Sequence, residues 1–196
     1  MSLSVEAVTG SALQDVLPYL ARLRITVFRD WPYLYDGSEE YEREYLAKFI
    51  AADGAVCIVA RDGETIVGAS TASPMAETDE EFIEPFKTDG YDIAKVFYCG
   101  ESVLIGNYRG QGVGHKFFEG REAHARHLGG FETSTFCRVV RPDDHPLKPA
   151  SYRPLDSFWR KRGYSPVERL LAEYAWKDIG QSDETTKQLQ FWTKPL

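Results

Sequence analysis

The chain has 196 residues, of which 43% are hydrophobic, and a formal net charge of −7. That length and apolar content suffice for one core, so we expect a single domain over residues 1–196. The negative charge argues against nucleic acid or an anionic membrane as a partner. No apolar run approaches the roughly 20 residues that span a bilayer, and we recognise no signal peptide. Three cysteines, an odd number, predict reduced core thiols in a cytoplasmic protein.

Hydrophobic periodicity and turn residues predict an alternation of strands and helices. We expect Pro18 in the first turn of the first helix and Ser38 as the N-cap of the second. In chain order, the predicted elements are a strand at 5–8, helices at 16–28 and 39–49, a hairpin of strands 55–61 and 65–71, an acidic insert at 77–92 with a short helix, a strand at 96–105, a helix from 113 to 128, a strand at 132–139, a helix at 155–162, and strands at 169–177 and 188–194.

The most informative motif is the glycine-rich turn RGQGVG at 109–114, between the strand 96–105 and the following helix. A strand that passes through glycines into a helix leaves N–H groups exposed at the helix start, where the helix dipole favours an anion. The turn therefore predicts a phosphate site. It matches neither the dinucleotide fingerprint G-x-G-x-x-G nor the Gly-Lys-Ser/Thr ending of a P-loop, which disfavours an ATP-binding module. A purely architectural turn is the alternative.

The remaining pattern, R-x-x-G-x-G at Arg109, Gly112 and Gly114, resembles the pyrophosphate-binding motif of the GNAT superfamily of acyl-CoA-dependent N-acyltransferases. The segment 155–164, with an aromatic pair, basic residues and Gly-Tyr, is similar to the second GNAT signature. The order of predicted elements also matches that family over nearly the whole chain. The resemblance implies an α/β (α+β) fold with a mixed, mostly antiparallel central sheet flanked by helices. It also implies acetyl-CoA as the acyl donor.

The resemblance places the donor along the central strand and the glycine-rich turn. The pantetheine arm would pair with the strand, and the pyrophosphate would meet the turn and the first residues of the helix. The implied coenzyme A site consists of Ser102, Val103, Leu104, Arg109, Gly110, Gln111, Gly112, Val113, Gly114 and Lys116.

Glu101, on the central strand, is the candidate general base, because the family often has a glutamate there and an apolar setting raises the pKa of a carboxylate. The alternative is a structural carboxylate paired with an arginine such as Arg138. Many relatives have a tyrosine as general acid where this chain has Trp159. Tyr152 is our candidate replacement; Tyr164, or unassisted departure of a thiolate whose pKa is roughly 8.5, is the alternative. Cys99, two residues before Glu101, is expected on the same face of the strand, which leaves an acyl-cysteine route conceivable.

The acceptor site is expected beside the first two helices, where Trp31, Tyr33 and Tyr35 would form an aromatic wall. A loop packed on the core is the alternative. The acidic insert is either solvated surface or an electrostatic funnel for a cationic amine. The histidines predict solvated side chains, not a metal site.

We therefore predict an N-acetyltransferase that moves acetyl from acetyl-CoA to a primary amine, with a small-molecule amine favoured, by direct attack in a ternary complex. A non-catalytic acyl-CoA sensor on the same fold is the alternative, because Trp159 replaces the usual tyrosine. A homodimer built on the closing strands is compatible with this fold.

Overall fold

A computed structural model describes residues 3–196 as a seven-stranded sheet with helices on both faces. Short 3₁₀ turns occupy some of the connections. The elements are β1 (Leu3–Thr9), α1 (Leu13–Phe28), α2 (Glu39–Ala51), β2 (Val56–Asp62), β3 (Thr65–Pro74), α3 (Glu80–Thr88), β4 (Val96–Leu104), α4 (Val113–Leu128), β5 (Thr133–Val139), α5 (Asp156–Lys161), β6 (Ser165–Lys177) and β7 (Glu184–Pro195).

The strand order is β1-β2-β3-β4-β5-β7-β6, and every neighbouring pair is antiparallel except β4 and β5. This confirms the predicted fold class. The parallel pair is short, because Val96–Tyr98 pairs with Thr133–Thr135 and the ladder ends there. Beyond Tyr98, β4 continues without β5 beside it. The centre of the sheet therefore opens into a cleft.

Two apolar layers hold the helices on the sheet. Helices α1, α2 and α3 pack on one face through buried residues such as Leu20, Leu46 and Phe86, and α4 packs on the other through Val113 and Phe117. Ser38 caps α2 as predicted, with its Oγ accepting from the Tyr41 N–H at 3.2 Å. Within residues 3–196, no helix combines the length and apolar character needed to cross a membrane.

Some predicted boundaries were wrong. Helix α1 begins at Leu13, because Leu13 is part of its buried stripe, and Pro18 therefore lies inside the helix instead of in its first turn. Strands β6 and β7 are both longer than predicted. The residues added at the start of β7, 184–186, are exposed and polar, yet their backbones pair with 175–177 of β6. Hydrophobic alternation cannot predict strand residues that are held only by backbone pairing.

Candidate active site

The central strand β4 contains a β-bulge beside β3. One residue of β3, Thr71, lies opposite two residues of β4, Gly100 and Glu101. Thr71 Oγ1 accepts a hydrogen bond from the Glu101 N–H at 3.2 Å. A Cβ at Gly100 would lie 2.8 Å from Thr71 Oγ1, which is closer than real Cβ contacts. The bulge thus depends on glycine at position 100.

The bulge reverses the alternation of side chains along β4. Cys99 is fully buried in the layer that contains α4, with its Sγ 3.6 Å from Ser134 Oγ. Glu101 projects to the opposite face, toward α1. The prediction that Cys99 and Glu101 share a face was therefore wrong, because the strict period of two fails where the strand contains an extra residue. This geometry offers no support for an acyl-cysteine route.

Glu101 is held by a buried arginine from α1. Arg24 Nη1 donates to Glu101 Oε2 at 2.5 Å, and Arg24 Nε donates to Glu42 Oε2 at 2.5 Å. All three side chains are less than one-tenth exposed. The structural alternative for Glu101 named Arg138, but Arg138 contacts Gln190 instead. Glu101 thus has an arginine partner, but this arginine is Arg24 of α1 and not a residue of a neighbouring strand.

The cluster of Arg24, Glu42 and Glu101 carries two carboxylates and one cation. Burial lowers the pKa of Arg24, but the negative groups around it, Glu101 foremost, more than reverse this, and the pKa ends well above its usual range. Burial raises the pKa of Glu42 despite the opposing attraction of Arg24. Among the residues described, none donates a hydrogen bond to Glu101 Oε1, which leaves this oxygen available toward the cleft.

Glu101 forms the floor shared by two lobes of the cleft. Both lobes are also bordered by Tyr45, Phe82, Tyr98 and Gly100. The first, which we call the polar lobe, encloses about 510 Å³ including solvent at its mouth; its other lining residues are Lys48, Phe49, Thr71, Ala72, Ser73, Glu77, Thr78 and Asp79. The second, the aromatic lobe, encloses about 590 Å³ on the same basis; its other lining residues are Arg24, Phe28, Tyr33, Tyr35, Tyr41, Cys137, Tyr174, Trp176 and Leu189.

The loop between α1 and α2 contributes part of the predicted aromatic wall. Tyr33 and Tyr35 line the aromatic lobe. Trp31 lines neither lobe and packs instead against His145, with ring centroids 5.0 Å apart, and against Tyr152 at 6.1 Å. Tyr152, the candidate acid, is likewise absent from both linings. Neither Trp31 nor Tyr152 therefore gains support from its position.

Arg141 anchors this loop, a role that the sequence analysis missed. Its guanidinium donates to the carbonyls of Pro32 at 2.9 Å and Tyr33 at 2.7 Å. The same group binds both carboxylate oxygens of Asp178, at 2.7 and 2.9 Å. The loop is thereby tied to the end of β6.

The acidic insert forms α3, and its apolar face is buried as predicted, with Phe82, Ile83 and Phe86 at 7% exposure or less. Phe82 enters the cleft between Tyr98 and Tyr174, with centroid distances of 5.2 and 5.4 Å. The helix therefore covers the cleft. Several of its carboxylates are already neutralised by ion pairs, which are Lys48 with Asp79, Lys87 with Glu80, and Arg169 with Asp89.

The glycine-rich turn has the conformation that the prediction requires. Gly110 and Gly112 have φ of 77° and 82°, a region that residues with a side chain rarely adopt. The N–H groups of His115 and Lys116 both donate to the Gly112 carbonyl, so helical bonding begins there. The N–H groups just before His115 point out of the helix start. Arg109 and Lys116 are exposed beside this end of α4.

The three β4 residues implied for the pantetheine arm differ in their exposure. Ser102 is exposed, Val103 is fully buried on the α1 face, and Leu104 is half-buried against α4. The side chain of Val103 is thus unavailable to a ligand along β4. Trp159 packs between Phe136 and Trp192, with centroids 5.0 and 5.1 Å away.

The other candidate side chains, Tyr164 and the histidines, line neither lobe of the cleft. The Tyr164 hydroxyl is buried between Ser134 Oγ at 2.7 Å and Glu122 Oε1 at 3.2 Å. His124 Nε2 lies 3.0 Å from the Gly54 carbonyl oxygen. Across residues 3–196, no group of three or more histidine, cysteine or acidic side chains is arranged to hold a metal ion. Burial raises the pKa of Cys57 to about 12 and that of Cys137 to about 11, so both thiols are neutral at pH 7.

Comparison with known proteins identifies the family. The acetyltransferase (GNAT) family model matches residues 22–149. Similar solved structures include a ribosomal-protein-alanine N-acetyltransferase from Brucella melitensis (14% identity, 98% of this chain and 99% of that one, TM-score 0.63) and an acetyltransferase from Thermus thermophilus (15%, 100% and 98%, 0.59). A GCN5-related N-acetyltransferase from Kribbella flavida is also similar (16%, 99% and 98%, 0.58).

No curated protein matches the chain. At 14 to 16% identity the solved structures establish the fold alone, whereas the family model covers well over half of the sequence. The fold, the open β4 edge and the glycine-rich turn agree with that match. The chain belongs to the GNAT acetyltransferase family.

Proposed function

We propose that this protein transfers an acetyl group from acetyl-CoA to a primary amine, and that the amine is a small molecule. The observation that carries the proposal is the position of Glu101. Its carboxylate forms the floor of both lobes, at the point where β4 leaves β5, and Arg24 holds one of its oxygens. A donor bound along the open strand and an acceptor in the cleft would meet at this carboxylate.

The proposed site for the donor is the open edge of β4 together with the turn 109–114. The pantetheine arm would lie beside Ser102, Val103 and Leu104, and the pyrophosphate would accept hydrogen bonds from N–H groups at the start of α4. Arg109 and Lys116 would add positive charge in a chain of net charge −7. A backbone N–H of β4 near the thioester carbonyl would stabilise the developing oxyanion.

The proposed reaction needs a neutral amine in contact with the thioester. An ammonium acceptor first passes one proton toward Glu101 Oε1, directly or through water, with Glu101 as general base. The amine nitrogen then attacks the thioester carbonyl carbon, the C–N bond forms, and the C–S bond breaks. The second proton of the nitrogen goes to the departing thiolate. No general acid is assigned, because Tyr152 lies against Trp31 and outside both lobes.

The first test separates donor binding from chemistry. We expect acetyl-CoA at a hundred times its Kd to stabilise the protein by about 2.7 kcal/mol, which raises the Tm of a chain this size by roughly 5–10 °C. ATP at the same concentration should give no shift. Thiol release from acetyl-CoA across a panel of amines then measures transfer.

Each combination of results has one meaning. Stabilisation with amine-dependent thiol release supports the transferase. Stabilisation without thiol release for any amine contradicts it and indicates an acyl-CoA sensor, the function compatible with Trp159 packed between aromatic rings. A shift with neither acetyl-CoA nor free CoA would show that the turn 109–114 is only architecture.

A further inference from the structure

The aromatic lobe is lined mainly by aromatic rings. Nine of its fourteen lining residues are aromatic, and only Arg24 and Glu101 among them bear a charge. The rings come from α1, the α1–α2 loop, α2, α3, β4 and β6, so six parts of the chain converge on one apolar space. Tyr33 stacks on Phe28 with centroids 4.1 Å apart, and Phe82 stacks near Tyr174 at 26°. Ring faces of this kind favour a flat, apolar ligand.

The charged groups at the aromatic lobe are one cation and two carboxylates. Arg24 is shared by Glu42 and Glu101, so one cation faces two carboxylates. Burial raises the pKa of the Cys137 thiol to about 11, so this thiol is neutral at pH 7. Burial also raises the pKa values of five lining tyrosines above their usual range; these are Tyr33, Tyr35, Tyr45, Tyr98 and Tyr174. One ammonium group thus finds a counter-ion at Glu101. A second ammonium within the aromatic lobe would have no counter-ion there, which is costly; the other carboxylates of the cleft, Glu77 and Asp79, line the polar lobe.

Two features close the lobe against a large acceptor. Phe82 of α3 lies across it, between Tyr98 and Tyr174. The α1–α2 loop is fixed by the Arg141 contacts with Tyr33 and Asp178. The helix and the anchored loop thus border the lobe and limit the room for a polypeptide terminus.

We propose that the acceptor is an aryl-substituted primary monoamine, with its ring in the aromatic lobe and its amine at Glu101. This inference rests on the proposed function, because it names the substrate class of that same site. The inference excludes protein amino termini and amines whose second cationic group would occupy the aromatic lobe.

Three amines of similar length test the inference by kcat/KM in the presence of acetyl-CoA. We expect kcat/KM for 2-phenylethylamine to exceed that for n-hexylamine by roughly 2- to 10-fold. Contacts between aromatic rings contribute this much in addition to the burial of apolar area. We expect 1,6-diaminohexane to fall at least about tenfold below n-hexylamine, because its second ammonium has no partner. A diamine as good as n-hexylamine, or no advantage for the ring, overturns the inference.

A pair of variants in α3 tests the position of the ring. Phe82→Ala should raise KM for the aryl amine by about tenfold and abolish the advantage of that amine over n-hexylamine. Ile83→Ala is the matched control, since Ile83 is the next residue, is equally buried and lines neither lobe. It should leave the ratio unchanged. If Phe82→Ala fails to fold, Phe82→Leu removes the ring and retains most of the volume. Equal ratios for the Phe82 and Ile83 variants would contradict the proposed position.

Binding without turnover distinguishes this inference from the proposed function. Titration of the protein with 2-phenylethylamine, followed by intrinsic tryptophan and tyrosine fluorescence, requires no transfer. Saturable binding that Phe82→Ala weakens, without thiol release, would retain the inference about the ligand and reject the transferase. Binding of the diamine in preference to the aryl amine would reject the inference, whether or not acetyl transfer occurs.

Discussion

Removal of Arg24 should destabilise the protein more than any exposed charge does. Its guanidinium is the shared partner of Glu42 and Glu101, each at 2.5 Å, and all three groups are buried. In an Arg24→Met variant both carboxylates stay in the core without a counter-ion. Loss of one partner from a buried ion pair costs about 3–5 kcal/mol of unfolding free energy. At about 2–4 °C for each kcal/mol, the Tm should fall by roughly 6–20 °C.

The loss should depend on pH in a defined direction. Burial already raises the pKa of Glu42 in the folded protein above its ordinary value of 4.5. The folded state therefore binds more protons than the unfolded state between pH 4.5 and that raised pKa, and its stability increases as the pH falls through this range. Without Arg24 the attraction that opposes the rise is gone, so the range widens upward. Arg24→Met should thus recover part of its lost stability as the pH falls toward the ordinary pKa of 4.5.

Urea denaturation at pH 7 and pH 5, followed by circular dichroism, measures both effects. Arg29→Met is the matched control, because Arg29 at the end of the same helix forms an exposed pair with Asp36 at 3.2 Å, worth at most about 1 kcal/mol. Arg24→Met combined with Glu42→Gln should regain stability at pH 7, since one stranded carboxylate is removed. The reasoning fails if Arg24→Met unfolds like Arg29→Met, or if the double variant is no more stable than Arg24→Met.

Three further results are expected. Glu101→Gln should lower kcat by about 10²–10⁴-fold while acetyl-CoA still binds; full activity at every pH would exclude Glu101 as the base. Gly112→Ala and Gly129→Ala both place a side chain at positive φ, at opposite ends of α4, so both should lower the Tm. Only Gly112→Ala should raise the Kd of acetyl-CoA, measured by calorimetry. Arg141→Ala should cost about 2–3 kcal/mol in urea denaturation and raise KM for the amine with no change for acetyl-CoA; equal changes in both would show that Arg141 supports the whole site.

The glycine-rich turn and the order of elements were readable from sequence because each depends on local chemistry. Positive φ requires glycine at 110 and 112, and a helix that follows a strand through such a turn must expose N–H groups. The apolar face of α3 was likewise readable from Phe82, Ile83 and Phe86. These features need no knowledge of what packs against them.

The partner of Glu101 was not readable in this way, because Arg24 and Glu101 are 77 positions apart. A weaker signal was nevertheless present. Arg24 lies on the apolar stripe of α1, four residues after Leu20, and Glu42 lies on that of α2, four residues before Leu46. A buried charge of each sign on two consecutive helices predicts an ion pair between them. It does not predict that a third group from the sheet joins it.

The bulge at Gly100 connects the fold most directly to the proposed chemistry. With strict alternation, Glu101 would share a face with Cys99 and project toward α4, away from Arg24 and both lobes. One extra residue in β4 turns the carboxylate to the other face, where Arg24 holds it. Glycine inside a predicted strand is the sequence sign of such a bulge, and the close approach of Thr71 Oγ1 to position 100 explains why glycine is needed there. The position of the candidate base is therefore determined by a local irregularity of the sheet, which periodicity alone places on the wrong face.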